Sequence, residues 1–163
     1  MTPHTLILGI GSPFGDDRAG WAVAEALRAS AWFRSLAPGS VGVACLDRPG
    51  AGLLAALEGV THAVLIDAMR SGAPPGRVRV LAVEALVGST AGLVSSHGFG
   101  LAGALKLAKA MGLLPPRLTI LAIEAGAGDG LDALSAEVRA AVPRVLHRIE
   151  ACVGGSGQDR VAP

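Results

Sequence analysis

Four short, nearly unbroken apolar runs, separated by amphipathic segments, leave this chain few folds to choose from. Thr5–Ile10 (TLILGI), Val41–Leu46 (VGVACL), Ala63–Ile66 (AVLI) and Leu118–Ile123 (LTILAI) show no polar alternation. Strands of this kind are expected where a sheet is covered on both faces. Between them lie segments of helical period. Asp17–Ala29 carries Val23, Ala26 and Leu27, and Ala51–Leu57 is short and stopped by Gly59. Gly98–Met111 repeats Leu101, Leu105, Ala108 and Met111 against Lys106 and Lys109. A last helix has the stripe Leu134, Val138, Val142, Val145 and Ile149, with Asp132 as its expected N-cap and Pro143 as a possible kink. Alternating strands and helices predict an α/β chain with a mostly parallel sheet between helical layers. Arg77–Leu81 (RVRVL) is the exception. Its charged–apolar alternation, after the turn SGAPPG, predicts a strand wet on one face.

At 163 residues the chain suits one domain, expected over 1–150, with a disordered tail over 151–163. No apolar run approaches the roughly 18–20 residues of a membrane span. The opening MTPHTLILGIG lacks the basic region and cleavage site of a secretory signal. A net charge of +1 without a basic cluster, and no tyrosine, argue against nucleic acid or an acidic membrane as partner. Cys45 and Cys152 lack CxxC spacing, which excludes the usual thiolate zinc site and fits a reducing, cytoplasmic setting.

In open α/β sheets, ligands gather beyond the carboxyl ends of the strands. Four places satisfy that rule here. GSPFGDDRAG presents Asp16 and Asp17, LDRPGAG presents Asp47, AVLIDAM presents Asp67, and VSSHGFG delivers His97 at a helix start. Asp16 reads as the cap of the first helix. Asp67 directly follows four apolar residues, where a carboxylate costs solvation unless paired or metal-bound. Two carboxylates and an imidazole on one rim neutralise and ligate a divalent ion such as zinc or nickel. Rival motifs fail. Gly9-x-Gly11-x-x-x-Gly15 has one residue too many for a dinucleotide loop, and Ser95 and Ser96 precede His97 without a GxSxG elbow. No GxxxxGK[ST] loop occurs, and His4, His62 and His147 read as surface residues.

Taken in order, GIGSPFGDDRAG, DRPGAGLLAAL, VLIDAM and SSHGFGLAGALKLA resemble the hydrogenase maturation proteases, over nearly the whole chain to about Ile149. The resemblance implies a three-layer α/β/α, phosphorylase/hydrolase-like fold. Its sheet would be five-stranded and mixed, with the fourth strand antiparallel, and RVRVL would be that strand. The implied activity is that of an endopeptidase, aspartate-type or metal-assisted. It would remove the C-terminal extension of a nickel–iron hydrogenase large-subunit precursor after nickel insertion. Asp17, Asp67 and His97 would be both catalytic residues and metal ligands, completing the coordination of nickel supplied by the substrate. Asp47 and Asp16 would position substrate or support loops. Other divalent ions are expected to enter the site in vitro, and the protein is expected to be a monomer. The alternatives are a nickel-binding maturation chaperone that does not cleave, and a self-sufficient zinc metallohydrolase. Three departures from the family pattern stand out: Ser12 in place of asparagine in a shortened first loop, Arg18 where glycine is frequent, and Arg48-Pro49 in place of two glycines.

Overall fold

A computed structural model describes residues 4–88, 100–126 and 133–155. The elements follow in the order β1 (Thr5–Gly11), a 3-10 turn (Gly15–Arg18), α1 (Ala19–Ala29), α2 (Ala31–Ser35), β2 (Val41–Asp47), α3 (Gly52–Leu57) and β3 (His62–Met69). Then come β4 (Val78–Leu81), α4 (Val83–Gly88), α5 (Leu101–Ala110), β5 (Arg117–Glu124) and α6 (Ala136–Gly154). The five strands form one sheet in the order β2-β1-β3-β5-β4, parallel except for β4, which runs antiparallel to β5. This is the mixed sheet expected, with the fourth strand reversed.

Strand alternation sorts the core into two layers. Ile7, Val64, Ile66, Leu121 and Ile123 pack against Val23 and Leu27 of α1 and Val138, Val145 and Ile149 of α6. Leu8, Ile10, Ala63, Leu65 and Ile120 face Leu53 and Leu57 of α3, Leu86 of α4 and Leu105 of α5. Each central strand therefore feeds both layers, which is why its sequence shows no polar alternation. Among the described residues no helix is long and apolar enough to cross a membrane.

Both edge strands depart from expectation. VGVACL reads as a buried strand, yet every residue from Val41 to Leu46 is only half-buried, because β2 closes one margin of the sheet. Side chains of α1 cover part of it: Trp21 Nε1 donates to the Leu46 carbonyl (3.0 Å) and Arg28 Nη2 to that of Val43 (2.7 Å). At the other margin β4 is not wet on one face alone. Val78 packs on the α1/α6 core and Leu81 on the opposite one, while Val80 is 54% exposed.

The first helix also begins later than its pattern suggests. The Asp17 carbonyl accepts from the Ser12 N–H (3.2 Å), so the backbone turns back on itself before α1 starts at Ala19. Helix α1 then lies directly on the sheet. A Cβ at Gly20 would collide with the carbonyl oxygens of Ile10 and Ile66, and one at Gly9 with that of Gly20. These two glycines let helix and strand backbones touch. Asp132 lies outside the described residues; the N-cap of α6 is Ser135, whose Oγ accepts from the Val138 N–H (3.3 Å). The helix continues through Pro143 to Gly154, past the expected start of the tail. His62 is buried at the start of β3 rather than on the surface, and neither ring nitrogen has a hydrogen-bond partner among the described residues. Burial lowers its pKa, and the charge on Arg117 lowers it further.

Candidate active site

From β1 the chain passes through α1 to β2 on one side, and from β2 through α3 to β3 on the other. The two crossovers lie on opposite faces of the sheet. The carboxyl ends of β1 and β3 therefore border the crevice at which such a sheet changes direction. Register puts the acids at this end. Asp47 closes β2 opposite Gly11, the last residue of β1. Gly9 pairs with Ile66, so Asp67 stands beside Ile10.

Asp17 is held over the end of β1 by its own backbone. Its N–H donates to the Phe14 carbonyl (3.1 Å), and its carbonyl takes the Ser12 N–H. Gly11 is needed beneath it, since a Cβ there would strike the Asp17 carbonyl oxygen. The side chain is half-buried, with the buried Ser12 Oγ 3.5 Å from Asp17 Oδ2.

Asp67 lies inside β3 rather than at its end, and it is 5% exposed. Its Oδ1 accepts the Ala68 N–H at 2.8 Å. Burial pushes the carboxyl up to about 7; the Ala68 hydrogen bond pulls it down, and the charge on Asp17 pushes it up again. A carboxylate in this condition gains most from a cation. Asp67 also lines a small open pocket of about 30 Å³, walled by Met69, Leu81, Leu86, Leu101 and Ile120. The start of α5 thus borders Asp67. His97 lies four residues before Leu101 and outside the described residues, as do Ser95 and Ser96. No group of three metal-ligating side chains occurs among the described residues. The pair brought together is Asp17 and Asp67, whose oxygen donors and double negative charge fit a divalent ion.

Asp47 sits at the rim but is exposed and bound to its neighbour. Arg48 Nε is 2.7 Å from Asp47 Oδ1, and Nη2 is 3.4 Å from Oδ2. The Asp47 carboxylate, and beyond it that of Asp17, hold the guanidinium pKa above its ordinary value. Among the described residues Arg48 is the only non-glycine with positive φ, at 42°. That left-handed backbone costs about 1–2 kcal/mol for a residue with a Cβ.

Asp16 does not cap the first helix. Its buried carboxylate accepts from the Gly126 N–H (2.8 Å), the Ser135 N–H (2.7 Å) and Ser135 Oγ (2.8 Å). It joins the loop after β1 to the end of β5 and the start of α6. A second such brace was not anticipated from the sequence. Glu124, 1% exposed, accepts from Ser71 N–H and Oγ (both 2.7 Å) and from the Gly72 N–H (3.0 Å). Its signal was the same as that of Asp67, an acid directly after the apolar run LTILAI.

Comparison with known proteins finds the same fold elsewhere. The family model described as hydrogenase maturation protease matches residues 48–152. The structure is similar to the hydrogenase maturating endopeptidase HybD from E. coli, at 25% identity and TM-score 0.78, covering 94% of each chain. It is also similar to a hydrogenase 2 maturation peptidase from Thaumarchaeota archaeon SCGC_AB-539-E09 (27%, TM-score 0.63, 93% of this chain and 98% of that one). A third likeness is to the [NiFe] hydrogenase maturation protease HybD from Thermococcus kodakarensis (25%, TM-score 0.67, 91% and 98%). Comparison with curated protein sequences gives no match.

Proposed function

Because this chain belongs to the hydrogenase maturation protease family, we propose that it removes the C-terminal extension of a nickel–iron hydrogenase large-subunit precursor once nickel is in place. The observation that carries this reading is Asp67: a carboxylate buried in a central strand, raised to about 7, and near enough to Asp17 to feel its charge. Such a group destabilises the free protein at neutral pH and is relieved by a cation.

In this reading Asp17 and Asp67 ligate nickel carried by the precursor, and His97 supplies the third donor. In sequence His97 stands four residues before Leu101, which lines the pocket beside Asp67. Bound nickel would position the scissile peptide and polarise its carbonyl. Asp67 releases any proton it holds as the ion arrives, and the Ser12 hydroxyl and the turn backbone keep Asp17 aimed. Asp16 and Glu124 keep the surrounding loops in place through their N–H and hydroxyl donors. Asp47 orients the substrate tail at the rim. With Cys45 and Cys152 unpaired, we place the enzyme in the cytoplasm, acting as a monomer.

The test is to incubate the protein with nickel-loaded and nickel-free precursor and read product mass. Shortening of the loaded form alone supports the reading. Binding without shortening would make the protein a nickel chaperone. Cleavage of nickel-free precursor would make it an independent metallohydrolase.

A further inference from the structure

Arg48 combines three features that a bystander on the rim would not need. It holds a left-handed backbone at φ 42°, between Asp47 and Pro49, where glycine would be unstrained. Its N–H donates to the Gly11 carbonyl (3.0 Å), which fixes its backbone against the end of β1, next to the Ser12–Asp17 turn. Its guanidinium grips Asp47 through two nitrogens while remaining within the field of Asp17. Strain retained at a functional rim points to a role there.

We propose that Arg48 is a resident counter-cation, which neutralises the acidic rim of the free protein and is displaced when the substrate-borne ion arrives. This rests on the reading that Asp17 and Asp67 ligate that ion. Asp47 and Arg48 side chains are 48% and 50% exposed. Ion pairs that open to water are weak and exchange readily, so the guanidinium can leave without disturbing the fold. The consequence is selectivity. An unattached divalent ion must displace that guanidinium from the acidic rim, with only this chain's donors to hold it. Nickel seated in the precursor brings further ligands and a protein surface that offset the same opposition. Arg48 thereby lowers the affinity of the free protease for loose metal and reserves the site for loaded precursor.

The experiment titrates nickel chloride into precursor-free protein by calorimetry, using wild type, Arg48→Gln, Arg48→Gly, and each of the three combined with Asp67→Ala. Circular dichroism monitors the fold. The glutamine variant removes the charge and keeps the Cβ; the glycine variant removes both charge and strain. Both should bind nickel roughly fivefold more tightly than wild type, and the gain should vanish with Asp67→Ala. Unchanged affinity in Arg48→Gln, with binding still lost on Asp67→Ala, overturns the role of Arg48 and leaves the site intact. Tightening in the glycine variant alone also overturns it, since strain rather than charge would then be the cause. Binding indifferent to Asp67→Ala in every background refutes the site itself.

Discussion

Replacing Asp67 by asparagine should stabilise the free protein, by an amount that grows with pH. In the folded chain the Asp67 carboxyl lies at about 7, against 3.8 for an unperturbed one. Between those values the native state holds a proton that the unfolded chain has released. Stability therefore falls as pH rises through this window, by up to ~1.4 kcal/mol per pH unit. Below 3.8 there is no deficit; above 7 it is complete, at roughly 4 kcal/mol. Asparagine keeps an oxygen for the Ala68 N–H and never ionises. Its advantage should thus be near zero at pH 4 and full at pH 8. For a chain of this size that corresponds to a Tm higher by roughly 10 °C at pH 8. The assay is thermal or urea unfolding of both proteins across pH 4–8, in chelator, taking the difference so that shared titrations cancel. A difference that stays constant with pH, or a wild type more stable at pH 8, would show that Asp67 does not carry a buried charge.

Further outcomes follow from the same contacts. Asp17→Ala should abolish tail removal with the fold retained, and should lower the Asp67 titration midpoint, read by side-chain carboxyl NMR, because the Asp17 charge helps to raise it. Asp16→Ala should cost about 3 kcal/mol in urea unfolding, beyond the usual loss of a helix cap, because it strands the N–H groups of Gly126 and Ser135. Gly20→Ala should cost about 3 kcal/mol, since the new methyl meets backbone carbonyls of β1 and β3 that cannot move aside. A Gly20→Ala variant as stable as the parent would contradict the close helix–sheet contact.

The parts of the fold legible in the sequence are those set by local pattern. β1, β3 and β5 are buried on both faces, and their apolar runs say so directly. The reversed β4 came from family resemblance, as no local signal distinguishes parallel from antiparallel pairing. β2 misled because VGVACL is as apolar as a central strand; its place at the margin is decided by strand order, which composition does not encode. The site divides along the same line. Asp67 is marked as an acid in an apolar run, and Asp17 as an acid in the loop that follows strand one. Asp16 looks like a cap in sequence because its true partners, Gly126 and Ser135, lie 110 and 119 residues away. Glu124 carried the same mark as Asp67, yet its partners are backbone and hydroxyl donors of the turn after β3. Sequence can expose a buried acid; it does not say whether protein donors or a cation will satisfy it.

The central claim is that the metal comes with the substrate, and separate chelation of the two partners tests it most directly. Protease and nickel-loaded precursor are each treated with chelator, freed of it, and recombined with the untreated partner. Stripping the protease should leave its unfolding temperature and its cleavage of loaded precursor unchanged, because two carboxylates and an imidazole do not form the closed thiolate-rich site on which folding depends. Stripping the precursor should stop cleavage, and nickel restored to the precursor should bring it back. If stripping the protease alone halts cleavage of loaded precursor, the borrowed-metal account is contradicted and the enzyme owns its ion.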